Sequence, residues 1–91
     1  MENRLKCAVA GSTESGDCFV QIEPGENGLE LKLQSKLLRQ FGDSIRIAVV
    51  QTLEECGIAQ AKVTVDDHGA LDWILRARVR TAAERAKEGL L

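Results

Sequence analysis

Ser15 is the residue of this chain best placed to take part in chemistry. It lies in the small polar segment 10–17, between Glu14 and Asp17 and directly before Gly16. Such a composition predicts an exposed loop, from which a hydroxyl can enter another enzyme's active site while the acidic residues face a metal ion or basic groups there. A serine nucleophile needs a positioned base, and none is evident. We therefore interpret Ser15 as an attachment point, with an ordinary loop serine as the alternative.

A second candidate serine, Ser44, lies in the tripeptide Asp43-Ser44-Ile45. Ordinary acyl carrier proteins attach phosphopantetheine to the serine of a similar Asp-Ser-Leu motif at the start of a helix. Here the tripeptide lies inside a continuous helical stripe, in which Phe41 and Ile45 share one face. The sequence also has three strand patterns, whereas those carriers are all-helical. We therefore interpret Ser44 as a residue of a helix surface.

The remaining polar candidates have ordinary structural explanations. His68 follows two aspartates, but no second histidine or thiolate lies near it, which favours a solvated turn residue over a general base or metal ligand. Four arginines flank the last apolar stripe on both sides, which favours solvated flanks over a concentrated site for an acidic partner or a cofactor phosphate; they are Arg76, Arg78, Arg80 and Arg85. Trp73 lies off that stripe, where it would cover an edge of the core or mark a partner surface.

The composition is that of one small domain, which we expect to span residues 1–91. Apolar residues make up 44% and charged residues 29%, as is ordinary for a soluble globular protein. A net charge of −2 and an aromatic content of 3% argue against nucleic acid or an anionic membrane as a partner. No apolar run is long enough to span a bilayer and no signal peptide is evident, so we expect a cytoplasmic location.

The three cysteines, Cys7, Cys18 and Cys56, are widely spaced and form no CxxC pair. An odd number at such spacing predicts buried free thiols rather than a disulfide framework. Because His68 is isolated from them, a zinc site is not expected either.

Alternation of apolar and polar residues predicts strands over 18–23, 29–34 and 61–66. Turn residues at 24–28 separate the first two strands, which suggests that they form an antiparallel hairpin with one buried face. Ser35 follows the second strand and is a candidate cap for a helix.

Two apolar stripes with helical spacing complete the pattern. The first recurs every four residues and ends near Gly57; its members are Leu37, Phe41, Ile45, Val49 and Leu53. The second follows a turn at 66–69; its members are Leu71, Leu75, Val79, Ala82 and Ala86. The order is β-β-α-β-α, with an optional further strand over 5–9. It predicts an α+β two-layer sandwich, in which two helices cover a small, mainly antiparallel sheet.

Three stretches of the chain resemble the citrate lyase acyl carrier protein, the gamma subunit of that complex. Segment 10–17, AGSTESGD, resembles the N-terminal motif of the family, and 40–46, QFGDSIR, resembles its central helix. Segment 65–78, VDDHGALDWILRAR, resembles its C-terminal signature. The stretches are distributed over most of the chain, from 10 to 78, in the family's order and spacing.

The resemblance implies that Ser15, which matches the motif serine, carries a 2′-(5″-phosphoribosyl)-3′-dephospho-CoA group through a phosphodiester bond. The thiol of that group holds acetyl and citryl thioesters. An alpha subunit (the acyl transferase) and a beta subunit (the lyase) cleave citrate to oxaloacetate and acetate, and a prosthetic-group transferase loads the carrier. The chain itself is then not an enzyme: it supplies no catalytic residue and binds no metal.

Three other functions are compatible with the residues. The carrier subunit of malonate decarboxylase uses the same type of group, although Gly-Ala-Leu-Asp at 69–72 favours citrate lyase. A small interaction module would use the loop around Ser15 only as a connection. A hydrolase would need a fold that brings His68 beside Ser15.

Overall fold

The computed structural model describes residues 5–88. Its elements follow in the order β1 (Ala8–Gly11), β2 (Cys18–Glu23), β3 (Leu29–Gln34), α1 (Leu38–Glu55), β4 (Ala61–Asp67) and α2 (Asp72–Lys87). This confirms the predicted β-β-α-β-α order, and the optional N-terminal strand exists as β1. Gly57, with φ of 75°, follows the last turn of α1 and ends it as predicted.

The four strands form one sheet in the order β1-β2-β4-β3. The pairs β1–β2 and β2–β4 are antiparallel, and β3 is parallel to β4. The α+β class and the mainly antiparallel character of the sheet are therefore confirmed. Among residues 5–88, neither helix is long and apolar enough to cross a membrane.

The predicted hairpin between 18–23 and 29–34 is wrong, because β4 lies between those two strands. Neighbouring strands lie about 4.8 Å apart, so the connection between β2 and β3 has to cross about 10 Å. Five residues reach that far, and the backbone carbonyl of Gly28 accepts a hydrogen bond from the N–H of Ala61, at the start of β4, at 3.0 Å. Segment 24–28 therefore passes over the start of β4 to reach its far side.

The core lies between one face of the sheet and the two helices. Alternate residues of the central strands are buried there; they are Cys18, Val20 and Ile22 of β2 and Ala61, Val63 and Val65 of β4. Both helices bury one side against them; these residues are Ile45, Ala48, Val49, Thr52 and Leu53 of α1 and Leu75, Val79, Ala82, Ala83 and Ala86 of α2. The arrangement is the predicted two-layer sandwich.

Ser35 does not cap α1. The helix begins at Leu38, and the preceding Leu37 makes no side-chain cap. Instead the Ser35 hydroxyl accepts a hydrogen bond from the backbone N–H of Leu37 at 3.1 Å and donates one to Asp67 at 2.9 Å. Asp67 also accepts from the N–H of Ala70 at 3.0 Å, so this carboxylate ties the start of α1 to the turn before α2.

The first half of α1 extends beyond the core. No residue of α1 before Ile45 is buried, and Phe41, which the stripe predicts to be buried, is 44% exposed. The two helices run side by side, with the Gln51 amide oxygen accepting from Arg76 at 3.0 Å. One helical turn before Gln51 and Arg76, Ile47 is level with the start of α2 at Asp72. The residues of α1 before Ile47 therefore extend beyond the start of α2.

Candidate functional site

Ser15 lies in the loop 12–17, which joins β1 to β2, and its side chain is exposed as predicted. Its neighbour Gly16 has φ of 87°, and a side chain added there would meet no atom within 4 Å. The hydroxyl of Ser15 therefore stands at an open, solvent-facing position.

The loop is closed by short backbone bonds. The N–H of Ser12 donates to the carbonyl of Cys18 at 3.1 Å, which continues the β1–β2 ladder. The N–H of Asp17 donates to the carbonyl of Glu14 at 3.0 Å, so the intervening residues form a tight turn. Ser15 is thus held at the tip of a turn rather than on a long flexible loop.

Asp17 is the centre of the polar contacts that hold this turn. Its carboxylate accepts from the Ser12 hydroxyl at 2.7 Å and from the N–H of Cys18 at 2.7 Å. Arg78 of α2 donates to both carboxylate oxygens, at 2.9 Å through Nε and 3.4 Å through Nη2. These hydrogen bonds, above all that from Arg78, lower the pKa of Asp17 to about 2. Asp17 therefore stays ionised and joins the loop to α2.

This role of Asp17 was not predicted. From the sequence we expect the Asp17 carboxylate to face a metal ion or basic groups of another protein. In the structure it is paired with an arginine of its own chain. The two residues are 61 positions apart, and no local spacing signals such a contact.

We expect Asp17 to make stability depend on pH in a defined window. Its pKa is lower in the folded state than the ordinary 3.8, so it stabilises the fold above that value and loses this effect as the pH falls toward about 2. The effect should be about 1 kcal/mol, because Arg78 is partly exposed and solvent screens the pair. Urea unfolding at several pH values measures it. Asp17→Asn should remove this part of the pH dependence; an unchanged pH profile would contradict the assignment.

The turn after β4 supports the loop from its other side. The N–H of Gly16 donates to the carbonyl of His68 at 2.7 Å, and the N–H of His68 donates to the carbonyl of Asp17 at 2.9 Å. The imidazole Nε2 of His68 lies 3.2 Å from the carboxylate of Asp66. Within residues 5–88 no hydrogen bond joins the imidazole to the Ser15 hydroxyl, so the backbone of His68, and not its side chain, belongs to the site.

Of Ser44 and the four arginines singled out by the sequence, Arg78 alone makes a hydrogen bond or ion pair with this loop within residues 5–88. Ser44 is an exposed residue of α1, as interpreted. Each of the four arginines bonds within the chain; the partners are Asp72 for Arg76, Asp17 for Arg78, Glu55 for Arg80 and the carbonyl of Val9 for Arg85. They do not form a common anion site, in agreement with the prediction of separate flanks.

The thiols are free, and two of the three are buried. Burial raises the pKa of Cys18 to about 12, which keeps it protonated and unreactive. Cys56 is also buried, whereas Cys7 is exposed, contrary to the prediction. Over residues 5–88 there is no group of three or more histidine, cysteine or acidic side chains that could hold a metal ion.

The comparisons with known proteins cover nearly the whole chain. The family model described as malonate decarboxylase delta subunit matches residues 5–86. Citrate lyase acyl carrier protein 2 of Salmonella typhimurium is 48% identical over 85 residues, covering 92% of this chain and 88% of that protein. Citrate lyase acyl carrier protein of Halothermothrix orenii is 37% identical over 84 residues, covering 92% of this chain and 89% of that protein.

A solved structure with the same fold is that of a Pseudomonas malonate decarboxylase hetero-tetramer in complex with malonate. One of its chains superposes with a TM-score of 0.67 at 20% identity, covering 88% of this chain and 82% of that one. At this identity the similarity establishes the shared fold alone.

Proposed function

Because this chain belongs to the family of the citrate lyase acyl carrier proteins and the malonate decarboxylase delta subunit, we propose that it is the acyl carrier subunit of a citrate lyase. The observation that carries the proposal is the identity of 37–48% to citrate lyase acyl carrier proteins along about nine-tenths of the chain. In this role the chain performs no chemistry of its own. It presents an acyl group to the acyl transferase and lyase subunits of the complex.

Ser15 is the proposed attachment point, and the group is the phosphoribosyl-dephospho-CoA implied by the resemblance. The site has two features that a covalent anchor needs: an exposed serine, and a neighbouring Gly16 with open space where a side chain would lie. When bound, the group supplies a thiol that carries acyl groups as thioesters. Tethering raises their local concentration at the partner sites.

The chain's own residues would position this anchor. Asp17 and Arg78 fix one side of the turn, and the backbone of His68 fixes the other, so that Ser15 is presented in one conformation. The buried thiols Cys18 and Cys56 are kept away from the thioester chemistry. The whole chain, 1–91, would then act as one carrier domain, and a cytoplasmic location remains the expectation from the sequence.

The proposal is tested by intact-mass analysis of the protein purified from its native host under citrate-fermenting conditions. We expect a mass increase equal to one phosphoribosyl-dephospho-CoA group, and peptide mapping should place it on Ser15. Ser44 is the internal control, because it is the other serine with a carrier-like motif. An adduct on Ser44, or a native protein without an adduct, would contradict the proposal.

A second candidate is the carrier subunit of malonate decarboxylase, which the matching family model favours. It uses the same anchor and differs in the acyl group and the enzyme subunits. The partners that copurify with the native protein distinguish the two functions. A complex that cleaves citrate supports the first, and one that decarboxylates malonate supports the second.

A further inference from the structure

The overhanging start of α1 carries an apolar surface that the fold leaves uncovered. We call it the uncovered stripe; it consists of Leu37, Leu38 and Phe41. These residues continue the face of α1 that is buried from Ile45 onward. At the uncovered stripe this face is only partly covered, because its side chains are between 37% and 44% exposed.

The start of α2 adds two more exposed apolar side chains. Leu71 is 61% exposed and Trp73 is 68% exposed, so the tryptophan does not cover an edge of the core. Exposed tryptophan and phenylalanine side chains are enriched at protein interfaces relative to ordinary surface.

Both features lie at the end of the molecule that carries Ser15. The parallel strands β3 and β4 end there, and the helices that follow them begin there. Hydrogen bonds connect these features. The Ser35 hydroxyl, just before α1, donates to the Asp67 carboxylate, and the backbone carbonyl of His68, in the turn after Asp67, accepts from the N–H of Gly16 in the loop of Ser15. With strands about 4.8 Å apart, β1 and β3 are separated by only about 15 Å.

The charges beside the uncovered stripe indicate what covers it. Lys36, Arg39 and Arg46 are exposed around the first half of α1, against one exposed carboxylate, Asp43. In a symmetric pair of copies the same patch meets itself, so these cations would face each other and oppose association. A surface of opposite charge is the better match.

We propose that the uncovered stripe, together with Leu71 and Trp73, is the surface on which an enzyme subunit of the lyase docks, through an apolar patch bordered by carboxylates. The inference rests on the proposed function, because a group carried on Ser15 reaches an active site only if this end of the carrier faces the enzyme. The exposed aromatic residues Phe41 and Trp73 are the anchors, and the cations set orientation and the rate of encounter.

Binding of the purified acyl transferase and lyase subunits from the same host tests this surface. The carrier is labelled with a dye on Cys7, the one exposed cysteine among residues 5–88, and titrated with each subunit by fluorescence anisotropy. We expect the double variant Phe41→Ala/Trp73→Ala to weaken binding of at least one subunit about 30-fold or more. Arg39→Glu should slow association and weaken its dependence on salt.

Val9→Ala is the matched control, because Val9 is as exposed as Phe41 but lies on β1. It should bind as the unsubstituted carrier does, and unfolding curves should show that all variants remain folded. Unchanged binding of both subunits by the double variant would overturn the proposal. So would sedimentation data showing that Phe41 and Trp73 hold two copies of the chain together.

The intact mass of the same native protein separates this proposal from the function on which it rests. A native carrier without a group on Ser15 contradicts the proposed function. A carrier loaded on Ser15 that binds the subunits equally well with and without Phe41 and Trp73 overturns the docking surface alone.

Discussion

Replacement of Ser15 by alanine is expected to abolish covalent loading of the carrier. The variant lacks the hydroxyl oxygen that the phosphodiester bond requires, and the change concerns an exposed side chain, so the fold should be unaffected. Coexpression with the enzymes that make and transfer the prosthetic group, followed by intact-mass analysis, should give complete loading of the unsubstituted chain and none of Ser15→Ala. Complexes rebuilt with the variant should have no citrate lyase activity.

Two serine variants serve as controls for this result. Ser44→Ala removes the hydroxyl of the competing motif on α1 and should be loaded normally. Ser12→Ala removes the hydrogen bond to Asp17 but keeps the anchor, so loading should persist. An adduct that survives Ser15→Ala would show that the anchor lies elsewhere.

Gly11→Ala is expected to destabilise the fold strongly, although it adds only one methyl group. Gly11 ends β1 with φ of 89°, and a Cβ at this position would lie 1.9 Å from the carbonyl oxygen of Cys18. That oxygen is fixed in the ladder by the N–H of Ser12. The clash adds to the cost of a left-handed backbone, so we expect a loss of about 3–5 kcal/mol in the free energy of unfolding, measured by urea denaturation.

Gly16→Ala provides a matched comparison, because Gly16 has nearly the same φ, 87°, but open space around it. Its free energy of unfolding should fall only by the cost of placing alanine in a left-handed backbone conformation, about 1–2 kcal/mol. Equal losses at the two positions would show that the contact with Cys18 is not what requires glycine at position 11.

The helices and strands of this fold could be predicted from local sequence patterns, but the order of the strands in the sheet could not. The alternation of apolar and polar residues in β2 and β3 indicates that each strand has one buried face. The alternation does not indicate which strand lies beside which. The strand placed between them, β4, comes from beyond α1. The connection at 24–28 has the composition of a hairpin turn, and only its contact with Ala61 reveals that it crosses another strand.

The exposed loop around Ser15 could be predicted from the sequence, but what holds it could not. Small polar residues around Ser15 indicate an exposed loop because they offer nothing to bury. The ion pair between Asp17 and Arg78 joins distant parts of the chain and depends on how α2 lies against β1 and β2. Similarly, the stripe through Phe41 identifies the apolar side of α1, but it does not indicate that burial of this side begins only at Ile45.

The hydrogen bonds around Ser15 also determine when, during synthesis of the chain, the loop can take its final shape. The loop precedes its supports in the chain: His68 and Arg78 are synthesised only after β2, β3, α1 and β4. A nascent chain that ends before α2 can expose the serine but cannot present it in its final shape. The shape of the loop around Ser15 is therefore a property of the folded chain that includes α2, and not of segment 12–17 alone.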